Sequence, residues 1–217
     1  MPTIQITPDR DTDINSAAPT TNTGTVTSLN LVRNSGGTVT RRVLTSFRLS
    51  PIAGQEIVSA SLRFRFSAGN AGLSIDLHAL ETDDWVETEA TWNSRKSGVA
   101  WDTAGGDYDA TVIDNQTNST APSDLIFDVT DHIAAVVDSG RASFLMKFNT
   151  ESGGNNTCQF YSAEQVIASN HPYLEVEYNT VVGGGLTPTG EKQPSANDAF
   201  IPLFGGKAVI PPNPNAP

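Results

Sequence analysis

The chain has 217 residues and a formal net charge of −11 at pH 7, from 13 lysines and arginines against 24 aspartates and glutamates. This acidic balance argues against a nucleic-acid ligand, because binding a phosphate backbone requires clustered Lys and Arg. The single cysteine, Cys158, excludes an internal disulfide. No apolar run approaches the roughly 20 residues of a membrane span, and Met1 to Asp13 lacks the apolar stretch of a signal peptide. We therefore expect cytoplasmic synthesis and neither nucleic acid nor membrane as a partner.

Apolar and polar side chains alternate in six segments between residues 43 and 178. In the segment Ser59–Ser67 the apolar side chains fall on one face and Arg63 and Arg65 on the other. One apolar face per strand is typical of antiparallel sheets packed face to face. The pattern predicts an all-β fold, an antiparallel β-sandwich over residues 1–180. The side chains predicted to lie inside it are Leu62, Phe64, Phe66, Ile75, Phe127, Phe144, Phe148, Leu174 and Val176.

Two connections between the strands have local signals of their own. The glycines of Ala68–Gly72 predict a hairpin between the two strands that flank this segment. Asp131–Asp138 has a helical pattern, since Ile133 and Val136 share a face and Gly140 follows its end.

Residues 181–217 form a second part of the chain, an extended tail rich in proline and glycine. This composition excludes a regular helix or a central strand. A purely solvating linker has no need of large apolar side chains, yet the tail carries several, which predict docking on a partner protein. These predicted docking residues are Phe200, Ile201, Leu203, Phe204, Val209 and Ile210.

The tail and the apparent cytoplasmic origin together favour a structural role in a large assembly. We expect a non-enzymatic subunit of a virus particle, either a bacteriophage capsid decoration or a tail-associated protein. It would be exposed on the virion surface and would contact other virion proteins in a homo- or hetero-oligomeric assembly through residues 181–217.

Several short motifs also follow one another along the body of the chain. They are PTTNTG (residues 19–24), RRVLTSFRLS (41–50), DDWVETEATWN (83–93), DVT (128–130), FYSAE (160–164) and PYLEV (172–176). Over residues 8–178 this series resembles the DNRLRE-type domain, which includes the family 96 carbohydrate-binding modules. The resemblance implies a jelly-roll-like β-sandwich that binds polysaccharide without cleaving it. The alternative to a virion subunit is therefore a free-standing, extracellular module or lectin for an acidic polysaccharide such as alginate.

Four arginines and one tryptophan are the candidate sugar-binding residues. The arginines, on two predicted strands, are Arg42, Arg48, Arg63 and Arg65. If the two strands are neighbours, their outer faces form a basic strip that can pair with uronic or sialic acids. Cross-strand ion pairs with carboxylates are the alternative. Trp101, in a glycine-rich loop, is predicted to expose its ring for stacking on a sugar.

The DDWVETEATW motif concentrates carboxylates beside two tryptophans. Glycoside cleavage needs two carboxyl groups about 5–10 Å apart across a sugar. A solvated loop whose tryptophans close one end of the sandwich is the simpler interpretation, and it predicts no catalytic residues. The side chains concerned are Asp83, Asp84, Glu87 and Glu89, with Trp85 and Trp92.

Three alternating aspartates, Asp9, Asp11 and Asp13, can be considered as calcium ligands. An EF-hand loop would require Gly at position 14 and Glu at position 20, where the chain has Ile14 and Thr20. We therefore predict no metal of this type and no cofactor, while a structural calcium of different geometry stays open.

The histidines and the cysteine carry no such signal. His78, His132 and His171 lack metal-ligand spacing, and the alternation places His78 on an outward strand face. Cys158 is predicted to be an inert residue of the core or of a strand.

Overall fold

The computed structural model describes residues 1–181, which form one compact unit. The predicted docking residues of the tail lie outside the described residues; they are Phe200, Ile201, Leu203, Phe204, Val209 and Ile210. No helix in the described part of the chain is long and apolar enough to cross a lipid bilayer.

Strands dominate this unit, as the alternating pattern predicted. They are β1 (Thr3–Ile6), β2 (Arg10–Asn15), β3 (Ser28–Arg33), β4 (Thr40–Arg48), β5 (Glu56–Gly69), β6 (Ser74–Leu80), β7 (Ser94–Lys96), β8 (Val99–Ala100), β9 (Tyr108–Thr117), β10 (Ser123–Asp128), β11 (Arg141–Phe148), β12 (Asn156–Tyr161) and β13 (Tyr173–Asn179). One α-helix, α1 (Thr130–Val136), and three short 3₁₀ turns, Ser50–Ile52, Val137–Ser139 and Ala168–Asn170, complete the described residues.

Eleven strands pair antiparallel in one sheet that curls on itself. Nine of them follow the order β1-β13-β5-β12-β3-β4-β11-β6-β9, and the other two, β10 and β2, pair with β5 and β4. Two strands are shared. β5, with 14 residues, accepts β10 along one edge, and β13 followed by β12 along the other. In the same way, β4 pairs with β2 on one edge, and with β11 followed by β3 on the other. The first strand, β1, pairs with the last strand, β13, with Thr3 opposite Glu177 and Ile6 opposite Leu174.

The inner faces of the curled sheet meet in a single apolar core. All nine side chains predicted to lie inside are at most 1% exposed, which confirms the all-β, antiparallel, sandwich-like fold. Phenylalanines dominate the centre. The ring of Phe64 meets the rings of Phe127 and Phe160 edge-on, with centroid distances of 6.4 and 6.0 Å. Each such side chain contributes about 1.5–3 kcal/mol through burial.

A second, smaller apolar cluster lies on the opposite face of β4 and β11. Leu44 and Leu145 point outward from these strands and are covered by Trp85 and Trp101. Gly106 lets the loop approach this closely, because it has a φ of 97° and a Cβ there would lie 2.9 Å from Leu145 Cδ1. The tryptophan-bearing loops therefore form a lid over one outer face of the sheet.

The two predicted connections have different outcomes. The helix is confirmed, since α1 and the 3₁₀ turn after it span the predicted segment and end at Gly140 with a φ of 86°. The hairpin at Ala68–Gly72 is wrong, because β5 and β6 do not pair and β12, β3, β4 and β11 lie between them. Gly69 turns the chain away instead: with a φ of 119° it packs so closely on β12 that a Cβ would collide with the Thr157 carbonyl oxygen.

Candidate functional site

A groove of about 480 Å³ lies on the outer face of the neighbouring strands β1, β13, β5 and β10. The alternation that points Leu62 and Val176 into the core points every second residue of these strands into this outer groove. Side chains that line it are Thr3, Ser59, Ser61, Gln116, Ile126, Asp128, Thr130, Glu175 and Glu177.

Strand register sets the polar side chains of the outer groove in two rows. Glu175 lies opposite Ser61, and Ser61 lies opposite Asp128, so one row crosses β13, β5 and β10. The next row consists of Thr3, Glu177 and Ser59. Because the rows are two residues apart along each strand, their spacing is about 7 Å.

Each carboxylate of the outer groove is held by a neighbour through one of its oxygens. Glu175 Oε2 accepts from Gln5 Nε2 at 2.8 Å, and Glu177 Oε2 accepts from the Ser59 hydroxyl at 3.4 Å. Asp128 Oδ1 accepts from the backbone amide and the hydroxyl of the residue two positions on, at 3.0 and 2.6 Å. Their second oxygens have no hydrogen-bond partner within residues 1–181. They are preformed acceptors for a ligand's hydroxyl groups.

The electrostatic potential of the outer groove is negative. Among residues 1–181, three carboxylates line it and no Lys or Arg does. Hydrogen bonds from the Thr130 hydroxyl and backbone amide hold the pKa of Asp128 below its ordinary value, so this group is ionised at neutral pH. A second hollow of about 370 Å³ adjoins the first, since Asp128 and Thr130 line both, and it adds Asp114 and Asp131. The negative character therefore extends along the surface.

The predicted basic strip is wrong, because the two strands that carry it are not neighbours. Arg42 and Arg48 belong to β4 and Arg63 and Arg65 to β5, with β12 and β3 between these strands in the sheet. Arg48, the most exposed of the four, pairs with Asp9 at 3.1 Å. Pairing between distant strands is decided by the whole topology, which the local alternation does not encode.

The other three arginines also form ion pairs, as the alternative interpretation expected. Arg42 donates Nε and Nη2 to the two carboxylate oxygens of Glu151, both at 2.8 Å. Arg63 and Arg65 share Asp124 Oδ1, each at 2.9 Å. The bidentate contact neutralises Arg42, and the shared contact engages Arg63 and Arg65 with one carboxylate, so none of the three is a free guanidinium for a uronate.

Arg63 nevertheless borders the outer groove and shapes its rim. Strand register places Arg63 between Tyr173 and Ile126 on the outer face, and its guanidinium lies 5.1 Å from the Tyr173 ring centroid. Ile126 is 50% exposed. An aromatic ring and an aliphatic side chain beside polar rows offer apolar contact to the C–H faces of a sugar.

Trp101 does not expose its ring, so its predicted stacking role is wrong. The side chain is 4% exposed, and its Nε1 donates to the Thr91 carbonyl oxygen at 2.9 Å. The glycine-rich loop that carries Trp101 is folded down onto Leu44 and Leu145, whose apolar side chains would otherwise face water. Trp101 is therefore part of the lid.

The carboxylates of the DDWVETEATW motif do not form a catalytic pair. Asp84 accepts from Lys96 Nζ at 2.6 and 2.8 Å, and Glu89 accepts from the Ser97 backbone amide at 2.8 Å. Glu87 turns the other way, toward β2. The motif thus fixes a loop, and its Trp85 is fully buried, although over an outer face of the sheet and not at the predicted end of the sandwich.

Two further predictions concern single residues. His78 is 3% exposed, so its prediction as a surface residue is wrong. Its Nδ1 donates to the Asp109 carbonyl oxygen at 2.9 Å, and Tyr108 covers the ring. Cys158 is buried as predicted, and burial raises the pKa of its thiol to about 12, which makes it a poor nucleophile.

The three alternating aspartates do not converge on one point. Asp9 pairs with Arg141 at 2.6 Å, whereas Asp13 accepts from the backbone and side-chain amides of Asn30 at 2.8 and 2.9 Å. Of the three aspartates, only Asp11 lies beside other carboxylates. Glu87 reaches it from the DDWVETEATW loop, and Glu164 reaches it from the segment after β12.

The outer groove was not predicted, although its signal was present. Alternation in β13 and β5 marks Glu175, Glu177, Ser59 and Ser61 as outward, but an outward strand position is ordinarily only a solvated one. What makes a site is the adjacency of β13, β5 and β10, together with Asp128.

Comparisons with known proteins agree with this architecture. No curated protein matches the sequence. The model of carbohydrate-binding module family 96 matches residues 2–178, which include every strand of the sheet except the last residue of β13. The family resemblance of the motif series is thereby confirmed, and the chain belongs to carbohydrate-binding module family 96.

Proposed function

We propose that this protein is a non-catalytic module that binds a neutral, hydroxyl-rich polysaccharide along the outer groove. The observation that carries the proposal is the pair of polar rows across β1, β13, β5 and β10, in which Glu175, Glu177 and Asp128 each keep one oxygen without a protein partner. Family membership supports carbohydrate as the ligand class.

The chemistry of the groove suits sugar hydroxyl groups. An ionised carboxylate accepts short, charge-assisted hydrogen bonds, and adjacent hydroxyls of a sugar ring can donate to it. Ser59, Ser61 and Gln116 add groups that both donate and accept. Because the carboxylates are already fixed by Gln5, Ser59 and Thr130, little side-chain entropy is lost when the glycan binds.

A neutral glycan fits better than the acidic polysaccharide expected from the sequence. A polyuronate would place its carboxylates against those of the groove and against a chain with a net charge of −11. The four arginines proposed to pair with uronates are engaged with Glu151, Asp124 and Asp9.

The lowered pKa of Asp128 supports binding without cleavage. A glycosidase needs one carboxylic acid with a raised pKa to protonate the leaving oxygen. The pKa of Asp128 is shifted the other way by its hydrogen bonds from Thr130. We therefore expect no release of reducing ends from any polysaccharide that the module binds.

The test is a binding panel that compares neutral polysaccharides (xylan, mannan, mixed-linkage glucan) with alginate and pectate, by affinity electrophoresis and calorimetry. Removal of both free acceptors in Glu175→Ala/Glu177→Ala should weaken binding to the preferred neutral glycan at least ten-fold, since a hydrogen bond to a charged group contributes about 1.5–3 kcal/mol. The matched control is Asp83→Ala, which removes an exposed carboxylate from the lid and should bind normally. Preference for alginate over every neutral glycan, or full binding by the double variant, would refute the proposal.

We also propose a second role for the protein, that of a virion subunit anchored by residues 181–217. The observation that favours it is the sequence of residues 200–210, where apolar side chains such as Phe200 and Phe204 stand among prolines and glycines. Truncation after Asn179 should leave a folded, glycan-binding module that no longer joins its particle. Normal assembly of the truncated chain would refute this role without touching the glycan proposal.

A further inference from the structure

Three carboxylates from distant parts of the chain converge beneath the edge of the lid. Asp11 belongs to β2, Glu87 to the DDWVETEATW loop and Glu164 to the FYSAE segment after β12. One carboxylate oxygen from each lies within 4.8 Å of the other two. We call these three residues the acidic cluster.

The innermost member of the acidic cluster lacks a partner that its burial demands. Asp11 is 1% exposed, and its Oδ2 accepts from the Ala163 backbone amide at 2.8 Å. Its Oδ1 is buried and has no hydrogen-bond partner. Leaving such an oxygen unsatisfied costs free energy, and in native proteins a bound ion or an ordered water commonly satisfies it.

The acidic cluster has no neutralising cation among the residues that the structure describes. Within residues 1–181 none of its three carboxylates forms an ion pair with Lys, Arg or His. The Arg10 guanidinium, which acts on Glu87 only at longer range, donates to the backbone carbonyl oxygens of Asp83 and Trp85 and lies over the Trp85 ring. Like charges at this separation cannot all be ionised without a counter-ion.

We propose that Asp11, Glu87 and Glu164 bind one Ca²⁺, with Asp11 Oδ1 as the buried ligand. All available donors are oxygens, which excludes a preference for zinc or copper. Calcium accepts six to eight oxygens in flexible geometry, so three carboxylates leave room for water on the exposed Glu164 side, which is also the entry path. Magnesium demands near-ideal octahedral geometry and suits this irregular set less well.

The protonation behaviour of the acidic cluster agrees with a missing cation. Burial, followed by the nearby Glu164 charge, raises the pKa of Asp11 to about 8, and burial also raises the pKa of Glu87. A bound proton and a bound metal ion are alternative ways to remove the repulsion, so the metal should displace the proton on binding.

The experiment uses the full chain, stripped with EDTA and dialysed at pH 8. Adding CaCl₂ should raise the thermal unfolding midpoint, and calorimetry should give one Ca²⁺ per chain. Asp11→Asn should abolish both effects and still fold, because its neutral amide resembles the protonated acid. Asp83→Asn, an exposed carboxylate of the same loop, is the matched control and should respond like the parent protein.

Glu164→Gln serves as a second variant if Asp11→Asn does not fold. Glu164 is exposed, so this substitution should leave the fold intact. Glu164→Gln should weaken Ca²⁺ binding at least ten-fold. The proposal is overturned if the parent protein binds no stoichiometric Ca²⁺, if Asp11→Asn or Glu164→Gln responds like the parent, or if Mg²⁺ binds more tightly than Ca²⁺. Because the readouts are stability and metal stoichiometry, their outcome is independent of glycan binding.

Discussion

Raising the pH from 5 to 8 in the absence of divalent ions should weaken the fold through Asp11. The pKa of this carboxyl rises from 3.8 to about 8 on folding, through burial first and the charge of Glu164 second. Between pH 3.8 and about pH 8 the native state holds a proton on Asp11 that the unfolded state has released. Stability from this group is therefore complete below about pH 4 and is lost as the pH rises through about 8.

The size of the effect follows from linkage. Where the native state binds one more proton than the unfolded state, the free energy of unfolding falls by about 1.4 kcal/mol per pH unit. Over pH 5 to 7, well inside the window, the expected loss is about 3 kcal/mol. The groups that face Asp11 are Glu87 and Glu164, and Asp9 and Arg10 act on Glu87 from nearby.

The assay is urea unfolding in EDTA at pH 5, 6, 7 and 8, with the parent protein compared to Asp11→Asn. His132 acts in the opposite sense within this window, because burial lowers its pKa. That contribution is present in both proteins and cancels in the difference. The difference should change by about 3 kcal/mol between pH 5 and 7, and saturating Ca²⁺ should remove most of it at pH 8. Parallel pH profiles for the two proteins would refute the reasoning.

Three further outcomes are expected from the core and the lid. Phe64→Ala should lower the free energy of unfolding by about 3–5 kcal/mol, because the side chain is fully buried. Ile126→Ala on the neighbouring strand should lower it by under about 1 kcal/mol, because this side chain is half exposed. Equal effects of the two substitutions would contradict the assigned core. Trp101→Phe should reduce stability, measured by the urea midpoint, through loss of the hydrogen bond to Thr91, and should leave glycan affinity unchanged. Cys158 should react with a thiol reagent only at the rate of unfolding, and rapid modification of the native protein would show that it is not buried.

Properties decided by neighbouring residues were predictable from the sequence. Alternation identified the strands and the inward side chains such as Phe64 and Phe144, because a strand's two faces follow from its own geometry. The left-handed Gly140 likewise marked the end of the helical segment. These features need no knowledge of which strands meet.

Properties decided by strand adjacency were not predictable. The basic strip required β4 to lie beside β5, and the hairpin required β5 to lie beside β6, but other strands separate both pairs. Trp101 is buried because the apolar Leu44 and Leu145 on a distant sheet face need cover. The acidic cluster was not predictable for the same reason, since its members lie in three separate motifs at least 76 positions apart along the chain.

The pairing of β1 with β13 bears on how this domain is made. Residues 3–6 find their partners only at residues 174–177, and β13 in turn covers the edge of β5. A chain still emerging from the ribosome would hold that edge unpaired until nearly the whole domain had been synthesised, which favours slow folding and edge-to-edge association. Nascent chains that stall before Tyr173 should consequently be a principal source of aggregates, and chaperone demand should fall abruptly once Asn179 has left the exit tunnel.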